Sequence, residues 1–329
     1  MGKNWPLRYS ALSSDGRLIG VAGKRGLVHY SSTSGRWKLF SDERQEQAFA
    51  VKGGMVWFHH VLIAAVEVSK SYQVTPTQSV RQLLAHFERT QIRLYSRDAE
   101  LANKNVLHRE ILTSPIIVLS LVDNSLLVYT ADNNLHHYLV VPTPDTIKTH
   151  FCGTINFNGI IASPSSVRTL SWMLPSAQKR MMLLGRLVLI LTRFLELGDP
   201  VDDLAVATVL MMVGGKLVLL RPRKVRSTNW GGGQRSEANE GRKSRDQEVR
   251  YDLQILADRI EFCWIHLQGI GSLENSLWGY DGQGLRVWLN ALSIEAPSEE
   301  SYPHGLSEYV KETLNIPLDF YPLCKFSPP

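Results

Sequence analysis

The sequence predicts an all-β fold, a WD40-like β-propeller of about six to seven blades. Three observations predict it. Apolar residues form short runs of strand length, Gly, Asn and Asp turn signals recur about every eight to twelve residues, and the pattern repeats about every 40 residues. An immunoglobulin-like sandwich would share the first two features but lacks the repeat. The sequence leaves open whether the ring of blades is complete.

The first forty residues contain the clearest repeat unit. Asp15-Gly16 and the Gly23 to Gly26 segment supply the positive φ angles that hairpin turns require. β-branched and aromatic residues, which favour strands, fill the segments between these turns. The apolar segments occupy residues 7–12, 18–22, 27–30 and 37–40. Four antiparallel strands in this length predict one blade.

Looser copies of this unit follow along the chain. They occupy residues 55–58, 61–68, 91–96, 116–122, 126–129, 135–141, 203–213 and 217–220, and the last is the Trp278 to Trp288 hairpin. The runs are nearly continuous in Val, Leu and Ile, as expected for strands buried on both faces. We assign residues 1–292 to the propeller. Residues 293–329 turn polar and Pro-containing, which indicates a linker or the truncated start of a following domain.

Two segments interrupt the strand pattern. Residues 226–248 contain three consecutive glycines and almost no apolar residue, so we predict a disordered basic loop. Residues 181–198 form an atypical apolar insertion. Arg186, Arg193 and Glu196 make this insertion unfavourable as a membrane span, and a buried helix or strand pair is the favoured interpretation.

The positive charge is concentrated in one region. Residues 221–250 hold nine Lys or Arg and four Asp or Glu, which equals the net charge of +5 for the whole chain. Candidate residues for contact with an acidic partner or an anionic membrane are Arg221, Arg223, Lys224 and Arg226. A merely solvated loop is the alternative. The loop has one aromatic residue, Trp230, which argues against nucleic acid as a partner.

Catalytic, cofactor and metal motifs are not recognisable in the sequence. Residues 241–244 depart from the phosphate-binding loop by one inserted Arg. In the pairs His59-His60 and His136-His137, neighbouring side chains point to opposite faces of a strand, so neither pair chelates one metal. We expect no cofactor.

An acid/base set can be drawn from Asp258, Glu261 and Asp281. However, Asp281 heads a Gly-rich turn, and we expect Asp258 to form a local pair with Arg259, so a structural role accounts for these residues. The chain is therefore interpreted as non-catalytic. Its three cysteines are odd in number and far apart, which favours a reducing cytosol over a disulfide framework. The first residues lack the apolar run of a signal peptide, so we expect a cytoplasmic location.

Several stretches resemble one protein family. They are Trp5–Ser10 with Ser14–Arg17, Gln91–Asp98, Leu119–Asn133, and Gln254–Phe262 followed by Glu274–Gly282. They are similar to the N-terminal propeller region of the Ric-one family, the large subunit of the two-subunit guanine-nucleotide exchange factor for the GTPase Rab six, called Ypt six in yeasts. Residues 181–198 depart from the family pattern.

This resemblance implies a non-catalytic scaffold subunit that acts with an arrestin-like subunit, Rgp-one, to release GDP from the Rab. It also implies a peripheral position on Golgi membranes and a role in endosome-to-Golgi retrograde transport. Family members are several times longer, and residues 316–322 look like a point of truncation. No catalytic residue is carried over, because the matching stretches are strands and turns. The alternatives are a generic propeller adaptor for peptide motifs, such as a ubiquitin-ligase receptor, and a propeller hydrolase.

Overall fold

The computed structural model describes residues 5–68, 89–142, 147–173, 208–224, 249–266, 276–289 and 313–319. These residues form five antiparallel sheets of four strands, and in each sheet the strands are hydrogen-bonded in chain order. This arrangement of consecutive four-stranded blades confirms the predicted all-β propeller.

The strands are numbered in chain order, four to a blade. Blade 1 contains β1 (Tyr9–Leu12), β2 (Leu18–Ala22), β3 (Leu27–Ser31) and β4 (Arg36–Lys38). Blade 2 contains β5 (Phe49–Phe58), β6 (Val61–Val68), β7 (Arg89–Ser96) and β8 (Val106–Leu112). Blade 3 contains β9 (Ile116–Val122), β10 (Ser125–Thr130), β11 (Asn134–Pro142) and β12 (Ile147–Asn156). Blade 4 contains β13 (Val167–Met173), β14 (Thr208–Val213), β15 (Lys216–Lys224) and β16 (Val249–Ala257). Blade 5 contains β17 (Phe262–His266), β18 (Ser276–Tyr280), β19 (Gly284–Trp288) and β20 (Thr313–Pro317), and the short helix α1 (Glu43–Gln47) joins blades 1 and 2.

The predicted count of six to seven blades is not confirmed, because the described residues form five. The reason is the unequal length of the blades. Blade 1 occupies residues 9–38, whereas blade 4 extends over residues 167–257. A repeat of about 40 residues, applied along the whole chain, therefore overestimates the number of blades.

The core lies between neighbouring blades. The first strands of blades 1 to 4 lie side by side in succession, and one apolar cluster fills each of the four interfaces from blade 1 to blade 5. All six residues of β10 and seven of the eight in β6 are buried. These strands lack the alternation of a half-exposed strand because both of their faces pack against another blade.

The turns use the residues that the sequence predicted. Gly214 and Gly215 have φ angles of 56° and 79° between β14 and β15. Between β18 and β19, Asp281 Oδ1 accepts hydrogen bonds from the backbone N–H groups of Gln283 and Gly284, both at 3.0 Å. This side-chain contact closes the hairpin that runs from Trp278 to Trp288.

Blade 5 extends further along the chain than the polar composition suggests. β20 pairs with β19 in register from Gly284 with Pro317 to Trp288 with Thr313. A propeller strand thus lies within residues 293–329, which were expected to form a linker or the start of another domain. The polar residues after position 292 connect two strands of one blade, and composition alone does not distinguish such a connection from a domain end.

Three sequence-based predictions lie outside the described residues: the disordered loop at 226–248, the insertion at 181–198, and Arg226. Across the described ranges, no helix has the length and apolar character needed to cross a membrane.

Gly284→Ala should destabilise blade 5. A Cβ atom at this position would lie 2.5 Å from the carbonyl oxygen of Ile316 and 3.0 Å from Cα of Pro317. These are backbone atoms of β20, which cannot turn aside as a flexible side chain can. We expect a loss of about 1–3 kcal/mol in the free energy of unfolding, measured by urea denaturation.

The exposed Asn315→Ala on the same strand is the control and should change the free energy of unfolding by less than about 0.5 kcal/mol. Wild-type stability in Gly284→Ala would show that β20 does not pack closely on β19.

Candidate interaction surfaces

A cavity of about 280 Å³ opens where blades 3, 4 and 5 meet. Asp123 is the only carboxylate among the described residues of its lining. Thr169 Oγ1 lies 3.4 Å from Cys263 Sγ, and burial raises the pKa of that thiol. A protonated thiol is a weak nucleophile, so the described lining of this cavity provides no acid/base pair. Its remaining lining residues are Ser120, Leu121, Val122, Leu170, Ser171 and Leu210.

A second pocket, of about 470 Å³, lies at the junction of blades 4 and 5. It is lined by Ala257, Asp258, Arg259, Asp281, Gln283 and Arg286. The structure therefore brings together Asp258 and Asp281, two of the three carboxylates that were grouped from the sequence. The third, Glu261, is close by, because a Cβ atom on Gly282 would lie 3.0 Å from Glu261 Oε1.

Asp281 anchors its own turn. Besides its two backbone hydrogen bonds, its Oδ2 accepts a hydrogen bond from Arg286 Nε at 2.8 Å. Burial acts to raise the pKa of Asp281, but the hydrogen bonds and the Arg286 charge outweigh it and hold the pKa below its ordinary value. A carboxylate that stays ionised in this way stabilises the turn and is not suited to donate a proton as a general acid.

Three of the four basic residues predicted as a contact site lie at the end of β15. Arg221 is in register with Asp252 of β16, and Arg223 is in register with Arg250. Lys224 follows at the last position of the pairing. The hairpin of β15 and β16 thus brings these basic residues to one end of blade 4.

Two buried hydrogen bonds of the Asn133 side chain in blade 3, which we call the Asn133 lock, were not predicted from the sequence. The hydroxyl of Tyr129 donates to Asn133 Oδ1, and Asn133 Nδ2 donates to the carbonyl oxygen of Ile161 at 2.8 Å. Asn133 is buried and has a φ angle of 65°. Since Ile161 lies in the connection to blade 4, this asparagine joins the β10–β11 turn to the next blade. The sequence signal for a special role of Asn133 was its position at the end of Leu119–Asn133, a stretch that resembles the Ric-one family.

The two adjacent histidines of β11 point to opposite sides, as predicted. His136 Nδ1 lies 2.8 Å from Thr154 Oγ1, whereas His137 Nε2 lies 3.0 Å from Ser125 Oγ. Burial lowers the pKa of His137 to about 4. Groups of His, Cys, Asp and Glu that could hold a metal ion are not found among the residues that the structure describes.

A family model described as the RIC1 second β-propeller domain matches residues 1–327. The chain belongs to this family. The Ric-one resemblance inferred from the sequence is thus confirmed, and the five blades described above are those of a RIC1-family propeller.

Curated relatives of this RIC1-family propeller are subunits of exchange factors. The chain is 27% identical over 325 residues to the guanine nucleotide exchange factor subunit ric1 of Schizosaccharomyces pombe, covering 97% of this chain and 26% of that protein. It is 22% identical over 332 residues to the subunit RIC1 of Homo sapiens, covering 98% of this chain and 20% of that protein. The subunit RIC1 of Mus musculus is 23% identical with the same coverage. The chain therefore spans about a quarter or less of these relatives.

Acid should weaken the interface between blades 1 and 2 through His29. This side chain is 1% exposed, and its ring lies 5.8 Å from that of Trp57. Burial, helped by the Lys38 charge and opposed by Asp98, lowers the pKa of His29 to about 4. The unfolded chain binds this proton near pH 6.5, so the free energy of unfolding should fall as pH falls from about 6.5 to about 4.

His29→Phe should remove this part of the pH dependence, on the order of 1 kcal/mol per pH unit, in denaturation measured across that range. The exposed His60→Gln is the control and should keep the slope of the wild type. The same slope in His29→Phe would contradict the role of His29.

Proposed function

We propose that this propeller is a non-catalytic scaffold of a guanine-nucleotide exchange factor. The family match over residues 1–327 carries the proposal, and it is supported by relatives that are each named as a guanine nucleotide exchange factor subunit. Because the chain covers only 20–26% of those proteins, the exchange activity is proposed for the longer assembly in which this propeller takes part.

The chemistry of the described surface supports a scaffold role. Nucleotide exchange makes and breaks no covalent bond, since an exchange factor only has to bind the nucleotide-free GTPase more tightly than the GDP-bound form. A set of rigid blades with turns fixed by Asp281 and Asn133 suits this task. Nucleotide exchange requires no nucleophile and no proton donor in either cavity.

On the basis of the family resemblance, the proposed partners are an arrestin-like subunit of the Rgp-one type and a GTPase of the Rab-six type. The proposed location is the cytoplasmic surface of Golgi membranes, in endosome-to-Golgi retrograde transport. We further propose that Arg221, Arg223, Lys224 and Arg226 contact the anionic membrane surface, where each basic residue contributes about 1 kcal/mol of attraction.

Release of a fluorescent GDP analogue from the Rab tests the exchange proposal. The assay compares the Rab alone, with the arrestin-like subunit, and with that subunit plus either this chain or a chimera. In the chimera, this chain replaces the matching quarter of the fission yeast subunit. We expect the three-component mixtures to accelerate release by about 5- to 150-fold. Unchanged release together with failure to co-purify with either partner would refute the proposal, and recovery of ubiquitin-ligase subunits instead would favour the adaptor alternative.

The same assay on anionic vesicles tests the basic residues. Arg221→Glu, Arg223→Glu and Lys224→Glu, combined, should lose the stimulation by vesicles but keep release in solution. The matched control reverses the same number of exposed charges on blade 1, at Arg17, Lys24 and Arg36. Equal loss in both triple variants would show an effect of net charge alone.

A further inference from the structure

The cavity where blades 3, 4 and 5 meet lies near the central channel of the propeller. Its lining includes residues of β9, β13 and β17, which are the first strands of these three blades. β9 and β13 lie side by side, and strands of neighbouring blades come closest at the channel because the blades are arranged radially around it. A group that enters this cavity therefore contacts several blades at once.

The cavity combines apolar walls with polar groups that have no partner. In the part of the chain that the structure describes, the side chains of Ser120, Asp123 and Ser171 form no hydrogen bond or ion pair. Both serines are half-buried, and Asp123 is exposed. These three side chains are therefore free to bind a ligand. The apolar lining residues are Leu121, Val122, Leu170 and Leu210.

Asp123 is held in position by the turn between β9 and β10. Its φ angle is 53°, in the left-handed region that Asp tolerates better than most residues. The next residue, Asn124, ties this turn to β11. Its carbonyl oxygen accepts a hydrogen bond from the N–H of Val140 at 2.8 Å, and its Nδ2 donates to the carbonyl oxygen of Val140 at 3.3 Å. The carboxylate thus stands on a turn that two hydrogen bonds hold in place.

The charge of the cavity favours an organic cation. The described lining contains one carboxylate and no Lys, Arg or His, so an anionic ligand would be repelled. Sites for Ca²⁺ and Mg²⁺ usually combine several oxygen ligands, often from more than one carboxylate. Asp123 stands without a second carboxylate in this part of the lining.

The size and the walls of the cavity fit an aliphatic chain with a terminal ammonium group. A volume of about 280 Å³ is below the range of about 300–1,000 Å³ for pockets that hold drug-sized ligands, so the cavity suits a group the size of one side chain. Its apolar walls can pack against methylene groups, such as the stem of a lysine. An ammonium group has three N–H donors and no acceptor, which matches the free oxygens of Ser120, Asp123 and Ser171.

We propose that this cavity binds a primary ammonium group at the end of an aliphatic chain, the chemistry of a lysine side chain. Asp123 supplies the opposite charge, and Ser120 and Ser171 accept hydrogen bonds from the ammonium group. A protein partner and a free amine both carry this chemistry. The inference goes beyond the proposed exchange function and does not depend on it.

NMR titration of this chain with probes that differ in one group tests the proposal. The first probe is a pentapeptide with blocked ends, in which one lysine is flanked by two glycines on each side. Norleucine replaces the lysine in the second probe, and glutamate replaces it in the third. The fourth probe, n-butylamine, carries the ammonium group without a peptide.

We expect the lysine peptide to shift the amide signals of Ser120, Asp123 and Ser171, with a Kd on the order of 1 mM. The norleucine peptide keeps the aliphatic stem but lacks the ammonium group, so it should bind about tenfold or more weakly. The glutamate peptide should leave these signals unchanged.

Asp123→Asn removes the negative charge and keeps a residue that tolerates a positive φ angle. Because Asp123 is exposed, water screens its ion pair, and we expect this variant to bind the lysine peptide about three- to fivefold more weakly. Adding Ser120→Ala and Ser171→Ala should raise the loss to about tenfold or more. Glu100→Gln, which removes an exposed carboxylate from blade 2, is the matched control and should keep the wild-type Kd. Unchanged amide signals from blades 1 and 2 show that each variant is folded.

Absence of these shifts with both the lysine peptide and n-butylamine would overturn the proposal. Equal binding of the lysine and norleucine peptides, or binding of the glutamate peptide at the same signals, would overturn it as well. An equal loss of affinity in Asp123→Asn and Glu100→Gln would do the same, because it would show an effect of net charge alone. Tighter binding of the lysine peptide than of n-butylamine supports a protein lysine as the source of the ammonium group, and the reverse order supports a free amine.

Discussion

The packing of one apolar sheet face on the next is the interaction on which the rest of this structure depends. Each described interface from blade 1 to blade 5 is filled by a cluster of Leu, Val, Ile and aromatic side chains. Full burial of one such side chain stabilises the fold by about 1.5–3 kcal/mol. The apolar face of a sheet must be buried against another element, so each blade depends on its neighbours.

This constraint decides where polar residues are used. The faces of the central strands are filled mostly by apolar side chains, and the polar groups among them are paired or kept neutral. Asp281 closes a hairpin, and Asn133 ties a turn of blade 3 to the connection that follows. The buried His137 is bound to Ser125 and is kept neutral by burial. These groups hold the scaffold together, and the surfaces left for partners are the blade junctions and the basic end of the β15–β16 hairpin.

The sequence predicted the individual strands better than it predicted how the strands are grouped into blades. The four strands of blade 1 and the β18–β19 hairpin follow from local turn chemistry, because Gly16, Gly26 and Asp281 act within a few residues. The blade count did not follow, since the connections between strands differ greatly in length. β20 was missed because a polar stretch separates it from β19, and only the ladder from Gly284 to Trp288 shows where it belongs. Of the candidate sites, the register placed three of the basic residues at one hairpin end, whereas the Asn133 lock required a contact with the distant Ile161.

Amide hydrogen exchange tests the central claim, that stability comes from faces covered by neighbouring blades. β2 and β6 are each hydrogen-bonded on both sides. They differ in burial, because one face of β2, with Ile19 and Val21, is only half-buried, whereas seven of the eight residues of β6 are buried. We expect the amides of β2 to exchange about tenfold or more faster than those of β6 in this chain. Equal protection of β2 and β6 would contradict the claim, because it would show that a blade with one open face is as stable as a blade packed on both.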